Sequence, residues 1–371
     1  MKVKAQSHKP DLILLVSALI LLGFGLLMIY NASPVTSLRD FGDPLRLARL
    51  QLIWAGISLV AGLVGYRIHY KFWEHVSPIL IIGSIILLLA VFIPGLGTEI
   101  YGARRWINVG NLFAIQPAEF TKLAYIIYLS AWLSRRVRLA PFLVVTGLLA
   151  GIILLQRDFG TTTIIAATGL IIYFLSGASL WQFGFIVPAG LGAAFVFIFL
   201  SDYRRARFLS FLNPDIDTQG ISYHISQILI ALGSGGWWGV GLGQSRQKYG
   251  YIPEITTDSI FAVVGNELGF IGALVFIGLL FLVVYRGFKI ARESADRFGQ
   301  LLAAGIASWI GLQSFINLAG MVALLPLTGV PLPFISYGGS SLLTVIFGVA
   351  ILLNISRFTQ VEKAAISRKR R

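Results

Sequence analysis

The chain of 371 residues is 56% hydrophobic and only 12% charged, with a mean hydropathy of +0.81. Soluble domains carry about twice that share of charged residues, so lipid is expected to be the solvent for most of this chain. The formal net charge of +14 would suggest nucleic acid as a partner of a soluble protein. Lys and Arg also collect on the cytoplasmic flanks of membrane spans, and we therefore predict no nucleic-acid partner. The absence of Cys excludes disulfides and thiolate metal sites, and the four His residues lack zinc-type spacing.

Ten segments are apolar enough for the roughly 20 residues that a membrane-spanning helix needs. They predict an all-α polytopic membrane protein that forms a single integral membrane domain over residues 1–371. The fifth and sixth segments are short and are separated only by the sequence QRDFG. The segments are 12–30, 48–66, 77–94, 117–134, 141–156, 160–176, 180–201, 258–285, 300–324 and 339–356.

The distribution of Lys and Arg predicts that both termini are cytoplasmic, since most basic residues then fall in the inner segments. This assignment places a basic tail at 358–371 inside and a large polar loop at 202–257 outside, between the seventh and eighth spans. A second polar, glycine-rich outer loop contains residues 101–110. Within the large loop, apolar residues at helical spacing over 220–243 predict an interfacial helix that breaks at the glycines 233–236. The last outer loop, 326–337, is apolar and proline-rich, a kind of backbone tolerated at membrane depth only against protein or water.

Charged residues inside predicted spans are costly, so each is a candidate functional residue. Glu119 and Lys122 lie on one face of the fourth span, either as a structural ion pair or as part of a polar cavity for an anionic headgroup. Glu267 lies about 13 Å into the eighth span at 1.5 Å per residue, where a structural polar network is the favoured interpretation. The side chains expected to satisfy it are Asn266, Gln313, Asn317 and Ser336.

Two aspartates stand at the outer ends of spans. Asp158 either pairs locally with Arg157 or contributes to the same cavity. Asp258 stands where the large loop re-enters the membrane, and there it would serve either as a helix N-cap or as a general base for an acceptor hydroxyl. The residues alone leave these alternatives open.

Seven blocks of the sequence, in order, resemble the SEDS family of shape, elongation, division and sporulation proteins, which includes FtsW and RodA. The resemblance runs from about residue 11 to 357 and is closer to FtsW. The PLPFISYGGSS block is the most specific. The blocks are GARRWIN (102–108), QPAEFTKL (116–123), DFGTT (158–162), GLGQSRQK (241–248), PEITTDSIFA (253–262), ELG (267–269) and PLPFISYGGSS (331–341).

The resemblance implies a ten-span peptidoglycan glycosyltransferase that polymerises lipid II at the outer face of the bacterial cytoplasmic membrane. Its implied partners are lipid II, undecaprenyl-linked glycan, a class B penicillin-binding transpeptidase and other divisome or elongasome membrane proteins. The family's essential carboxylate corresponds to Asp258, the implied base for the acceptor 4-hydroxyl. The chain departs from the family pattern at Thr256, where His is usual, at Arg157, where Pro is usual, and at Asn266, where Glu is common.

Together these arguments predict that Asp258 is catalytic and that basic side chains stabilise the departing lipid diphosphate. A divalent cation would be a further stabiliser, but no ligand cluster in the sequence requires one. The alternatives are a transporter that flips the lipid-linked precursor and a non-catalytic cell-wall scaffold; the lack of an internal repeat argues against the transporter. The predicted substrate-binding residues are Arg104, Arg105, Glu119, Lys122, Asp158, Arg246, Lys248 and Ser336.

Overall fold

The computed structural model describes residues 9–100, 103–110, 113–200, 202–212 and 221–358, so nearly all of the predicted basic tail lies outside the described residues. Within these ranges the chain forms thirteen α-helices and one small sheet. The helices are α1 (Leu12–Ala32), α2 (Pro34–Phe41), α3 (Arg46–Arg67), α4 (Lys71–Ala90), α5 (Pro117–Leu133), α6 (Leu139–Leu155), α7 (Phe159–Leu175), α8 (Leu180–Phe199), α9 (Asp202–Leu212), α10 (Ile221–Ser234), α11 (Ile260–Glu293), α12 (Arg297–Met321) and α13 (Gly339–Ser356).

Each of the ten predicted apolar segments coincides with one helix, which confirms the mostly helical class. Seven helices in the described part of the chain are long and apolar enough to cross a membrane. Helices α6 and α7 are also apolar but have only 17 residues each. Helix α5, likewise of 17 residues, begins with Pro117 and carries Glu119 and Lys122. The number of ten spans therefore stays a prediction.

A small antiparallel sheet occupies part of the second polar loop, where the sequence did not predict strands. Its strands are β1 (Gly97–Ile100), β2 (Ala103–Val109) and β3 (Phe113–Ile115), in the order β1-β2-β3. Strand β2 contains residues that favour strands, such as Trp106, Ile107 and Val109. This run is too short to be recognised as a strand in so apolar a sequence. A register shift interrupts the pairing between Thr98 and Glu99. The all-α prediction is therefore correct for the bundle and wrong for this loop.

Helices α5, α12 and α13 form the buried centre of the molecule. Almost every residue of α13 and most residues of α5 and α12 are buried, and α12 contacts α5, α7, α11 and α13. Helix α8 has no buried residue at all. The central helices are thus tightly packed, whereas α8 is only partly covered by the rest of the protein.

The ends of the helices opposite Asp258 are joined by ionic contacts. The Asp11 carboxylate caps α1 and pairs with Arg286 of α11, while the Asp11 N–H donates to Ser356 of α13. Asp296 caps α12 and also accepts from Tyr70 and Lys71. Burial alone would raise the pKa of Asp296, but the bonds from Gly299, Tyr70 and Lys71 lower it below its usual value. These contacts hold α1, α4, α11, α12 and α13 together at one end.

The segment predicted as a large loop is mostly folded. It contains α9, α10 and a 3-10 turn at Arg246–Lys248. Helix α10 ends at Ser234, so the predicted helix and its break at the glycines are confirmed. Ile225, Ile228 and Ala231 are buried on one side of α10, which packs against α11. The position of this segment outside the membrane remains a prediction.

Helix α11 is broken at Gly269, which has φ 68° and ψ −170°. Residues 236–241 fill the break: the N–H groups of Val240 and Gly241 donate to the carbonyls of Asn266 and Glu267, each at 3.0 Å. In return, the N–H groups of Phe270 and Ile271 donate to the carbonyls of Gly236 and Trp237 at 2.8 and 3.2 Å. In a regular helix these two N–H groups would have donated to the carbonyls of residues 266 and 267. The glycine-rich segment therefore replaces two helical hydrogen bonds with four external ones.

We predict that Gly269→Ala destabilises the protein strongly. The backbone angles at Gly269 are essentially restricted to glycine, and a Cβ there would lie 2.3 Å from the Gly239 nitrogen. Strain and overpacking should together lower the free energy of unfolding by about 3 kcal/mol or more, read as a lower Tm in detergent. Gly278→Ala on the same helix is the control, because its Cβ meets no atom within 4 Å. A wild-type Tm for Gly269→Ala would contradict the described backbone exchange.

Candidate active site

Asp258 lies in the turn that leads into α11, on a backbone held at three successive carbonyls. The Thr256 carbonyl accepts from the Tyr337 N–H at 2.8 Å, and the Thr257 carbonyl accepts from the Ser336 hydroxyl. The Asp258 carbonyl accepts from Asn317 Nδ2 at 2.8 Å. The donors come from α12 and from the 326–337 loop that follows it. The predicted outer loop at 326–337 is thus the support on which the Asp258 segment rests.

The Asp258 carboxylate is half-buried, and the Thr257 hydroxyl donates to its Oδ1 at 3.0 Å. Gly329 of the 326–337 loop lies beside the other oxygen, since a Cβ on Gly329 would be 3.6 Å from Oδ2. The N-cap residue of α11 is Ser259, and the helix begins at Ile260. The N-cap alternative for Asp258 is therefore wrong, because the residue precedes the cap position. Its carboxylate lies beside a glycine of the 326–337 loop.

Glu119 and Lys122 form a fully buried ion pair one turn into α5. Lys122 Nζ lies 2.7 Å from Glu119 Oε1 and donates to Gln313 Oε1, also at 2.7 Å. The ammonium group stands 5.4 Å from the centre of the Trp309 ring, a cation–π distance. Both partners are only 1% exposed. The structural ion-pair interpretation thus fits this arrangement, and no substrate cavity is needed to explain the pair.

Two amide side chains of α12, Gln313 and Asn317, connect this ion pair with the Asp258 segment. Gln313 accepts from Trp309 Nε1 at 2.8 Å and donates to the Pro331 carbonyl at 2.8 Å. Asn317, one turn further along, donates to the Val330 and Asp258 carbonyls. Both amides were predicted to satisfy Glu267, but in the structure they contact Lys122, the 326–337 loop and the Asp258 carbonyl. Polar residues spaced four apart in an apolar helix were the signal for a shared stripe.

Glu267 is buried in a second polar network with different partners from those predicted. Its carboxylate accepts from Asn31 of α1 and from the Ser245 N–H, and it lies 3.7 Å from Lys248 Nζ. Lys248 in turn donates to Asn31 Oδ1 at 3.0 Å and to the Gly243 carbonyl at 2.6 Å. The prediction of a structural network is confirmed, but its partners come from α1 and the folded loop. Nothing in the sequence marks Asn31 as a neighbour of Glu267.

The remaining predicted site residues fall into two groups. Asp158 is buried and caps α7, accepting from the Thr161 N–H and hydroxyl at 3.0 and 2.9 Å and from Gln116 at 3.3 Å. Arg104 and Arg246 are exposed, and Arg105 is half-buried with its guanidinium donating to the Gln156 and Arg157 carbonyls. Arg104 and Arg105 lie on β2, and Arg246 begins the 3-10 turn. Of the five basic residues predicted for the site, these three arginines are exposed or half-buried, whereas Lys122 and Lys248 are buried.

The carboxylates of the site do not form a cage for a metal ion. Among the described residues, no three His, Asp or Glu side chains lie close enough together to hold one. Asp258, Glu119, Asp158 and Glu267 each use their oxygens in separate contacts. The described residues therefore provide no cluster of carboxylates to hold a resident divalent cation.

The fold and the site together define a multi-pass membrane protein with a half-buried carboxylate supported by a polar, helix-based network. The family model described as "Cell cycle protein", for FtsW, RodA and SpoVE, matches residues 11–361. The chain therefore belongs to the FtsW/RodA/SpoVE family, and the resemblance seen in the sequence is confirmed.

Individual relatives cover nearly the whole chain. The probable peptidoglycan glycosyltransferase FtsW of Trichlorobacter lovleyi is 42% identical over 357 residues, which cover 93% of each chain. Stage V sporulation protein E of Bacillus subtilis is 40% identical and covers 95% of this chain and 98% of its own length. A solved chain from work on "Structural coordination of polymerization and crosslinking by a peptidoglycan synthase complex" is 25% identical, with a TM-score of 0.78. It covers 95% of this chain and 99% of its own length.

We predict that the Glu119–Lys122 pair shows strong coupling in stability. Glu119→Gln or Lys122→Met alone leaves one buried charge uncompensated, which should lower the free energy of unfolding by about 3–5 kcal/mol. The double variant removes both charges and should recover at least half of that loss. Denaturation of the purified protein in detergent measures all three variants, with Asp40→Asn at an exposed ion pair as the control. Additive losses in the double variant would contradict the pairing.

Proposed function

We propose that this protein is a peptidoglycan glycosyltransferase that polymerises lipid II, with Asp258 as the general base. The observation that carries the proposal is the half-buried Asp258 side chain, which lies beside Gly329 on a backbone fixed at three carbonyls. The names of the FtsW relatives supply the reaction class. The carboxylate would supply the general base that glycosyl transfer to a hydroxyl requires.

In the proposed reaction, Asp258 accepts the proton of the acceptor 4-hydroxyl as that oxygen attacks the anomeric carbon of the donor sugar. The bond between the anomeric carbon and the lipid diphosphate breaks on the opposite side, so the configuration inverts. The diphosphate leaves as an anion and needs no full proton, which is why one carboxylate is sufficient. Partial burial limits the hydration of the carboxylate, and the fixed backbone holds it in position before the substrate arrives.

The two exposed arginines, Arg104 and Arg246, and the half-buried Arg105 are the proposed partners of the departing diphosphate. Arg104, Arg105 and Arg246 carry charge at positions that an external ligand can reach, and guanidinium groups bind phosphate oxygens in a bidentate manner. Lys122 and Lys248, also predicted as substrate ligands, are held by Glu119 and Glu267 in the structure. We propose that these two lysines support the site from behind. Ser336 and Asp158 would act in the same way through their backbone and capping contacts.

We further propose that polymerisation takes place at the outer face of a bacterial cytoplasmic membrane, with both termini inside. A class B penicillin-binding transpeptidase is the proposed partner, together with other membrane proteins of the division or elongation machinery. The support is the similarity to a chain from a synthase complex that combines polymerisation and crosslinking. No observation favours the lipid transporter, because the charges that suggested it have partners: Glu119 pairs with Lys122, and Glu267 pairs with Lys248 of the folded loop.

The first test is polymerisation of purified lipid II by wild type and by Asp258→Asn, with and without the cognate transpeptidase. We expect wild type to produce glycan ladders on gels and the variant to lose at least about 100-fold in rate, since general bases contribute about that much or more. Asp40→Asn, at an exposed carboxylate on α2, should behave as wild type. Ladders of equal intensity from Asp258→Asn would remove this residue from the mechanism.

A second test addresses the arginines. Replacing Arg104 or Arg246 with Gln should raise the KM for lipid II about tenfold, because a charge-assisted hydrogen bond to phosphate contributes roughly 1.5–3 kcal/mol. The measurement is the initial rate as a function of lipid II concentration. Arg136→Gln is the matched control, since Arg136 is equally exposed but lies between α5 and α6, on the predicted inner side. An unchanged KM in both variants would show that other groups bind the diphosphate.

A further inference from the structure

The amide stripe of α12 makes contacts that neither the sequence analysis nor the proposed reaction uses. Gln313 and Asn317 lie one helical turn apart and are 0% and 4% exposed, respectively. They donate to the carbonyls of two consecutive residues, Pro331 and Val330. Asn317 also donates to the carbonyl of Asp258 itself. The stripe is therefore the direct connection between the buried ion pair of α5, the 326–337 loop and the candidate base.

The orientation of the Gln313 amide is fixed by its partners. The Lys122 ammonium and the Trp309 indole N–H only donate hydrogen bonds, so both must meet the Gln313 oxygen. The Gln313 nitrogen is then forced towards the Pro331 carbonyl, which only accepts. A flipped amide would place donor against donor and acceptor against acceptor. The ion pair on α5 thus determines which way Gln313 holds the 326–337 loop.

The same reasoning fixes the Asn317 amide. Its nitrogen meets two carbonyl oxygens, those of Asp258 and Val330, and neither oxygen can donate. One NH₂ group therefore joins the residue that carries the candidate base to the loop that holds Gly329 beside the same carboxylate. Both hydrogens of the Asn317 amide are used in these bonds. Asn317 therefore sets the distance between the backbone at Asp258 and the backbone of the 326–337 loop beside the carboxylate.

We propose that Asn317 is a positioning residue for the base, and that Gln313 supports it by holding the next carbonyl of the loop. This inference rests on the proposed function of Asp258. Neither amide touches the reacting atoms, so each acts through backbone placement. Misplacement of a reacting group by about 1 Å can cost on the order of 100-fold in rate, so a defect here should appear in kcat.

The test compares Asn317→Asp and Asn317→Leu with wild type in the lipid II polymerisation assay, with full-length protein and its transpeptidase partner present. Asp keeps the shape of Asn but places an oxygen against two carbonyl oxygens, and Leu removes the donors without adding a charge. We expect kcat to fall about 100-fold in both variants, with KM changed less than about threefold. Gln313→Met should lose only about tenfold in kcat, because Asn317 still holds Val330.

Thermal unfolding and the amount of folded protein are measured in parallel, to separate positioning from stability. Ser314→Ala is the matched control: it is a buried polar residue on α12 whose hydroxyl bonds only to the Ile310 carbonyl of its own helix. It should keep wild-type kcat and Tm. A fall in kcat with folded protein and KM retained in the Asn317 variants supports the proposal.

Three results would overturn the inference. Wild-type kcat in both Asn317 variants would show that the amide does not place the base, while the proposed function would stand on the Asp258 result. Loss of folded protein in both variants would show that Asn317 serves stability instead. If wild type makes no ladder with or without the transpeptidase, the proposed function fails, and the inference fails with it.

Discussion

The organisation of this protein depends on the cost of placing charges and polar groups away from water. An isolated ionised side chain in a low-dielectric interior is strongly unfavourable, whereas a paired one is tolerated. Lys122 is the clearest example, because its ammonium group meets a carboxylate, an amide oxygen and an indole face. Each of these partners in turn requires its own placement, and Gln313 extends the requirement to the 326–337 loop. One buried charge thereby constrains three separate elements of the chain.

The same constraint applies to the backbone wherever a helix is interrupted. At Gly269 the groups released by the break in α11 are satisfied by residues 236–241, and at Asp258 the carbonyls before α11 are satisfied by α12 and the following loop. In lipid, irregular backbone is viable only when other protein groups complete its hydrogen bonds. The part of α11 from Ile260 to Gly269 is therefore fixed at both ends. Helix α12 and the 326–337 loop hold its start, and residues 236–241 hold its end. This leaves a short, rigid helical piece that begins next to Asp258.

Much of the fold follows from the sequence, because a run of about 20 apolar residues admits few structures other than a helix in a membrane. The ten apolar segments, the helix α10 and its glycine break could all be located in this way. The sheet at β1–β3 could not, since its strands have only four, seven and three residues. The candidate base was identified through the family resemblance, while its alternative as an N-cap needed the observed start of α11 to be rejected.

The partners of the buried charges were much less predictable. Periodicity shows that Glu119 and Lys122 share a helix face, because that relation is local. It cannot show that Glu267 meets Asn31, which lies more than 200 positions earlier, or that Gln313 meets Lys122 on another helix. Such contacts depend on how whole helices are rotated and packed, a property of the assembled bundle. Local pattern identifies which groups need a partner, and only the three-dimensional structure identifies the partner.

The contrast between the central helices and α8 bears on how the proposed lipid-linked substrate would enter a rigid site. Helices α5, α12 and α13 are mostly buried, and α12 together with the 326–337 loop holds the Asp258 segment through hydrogen bonds. Helix α8 has no buried residue, so few contacts with the bundle would have to be broken for it to move. A long apolar tail needs space between helices, and this space is least costly to open where packing is weakest.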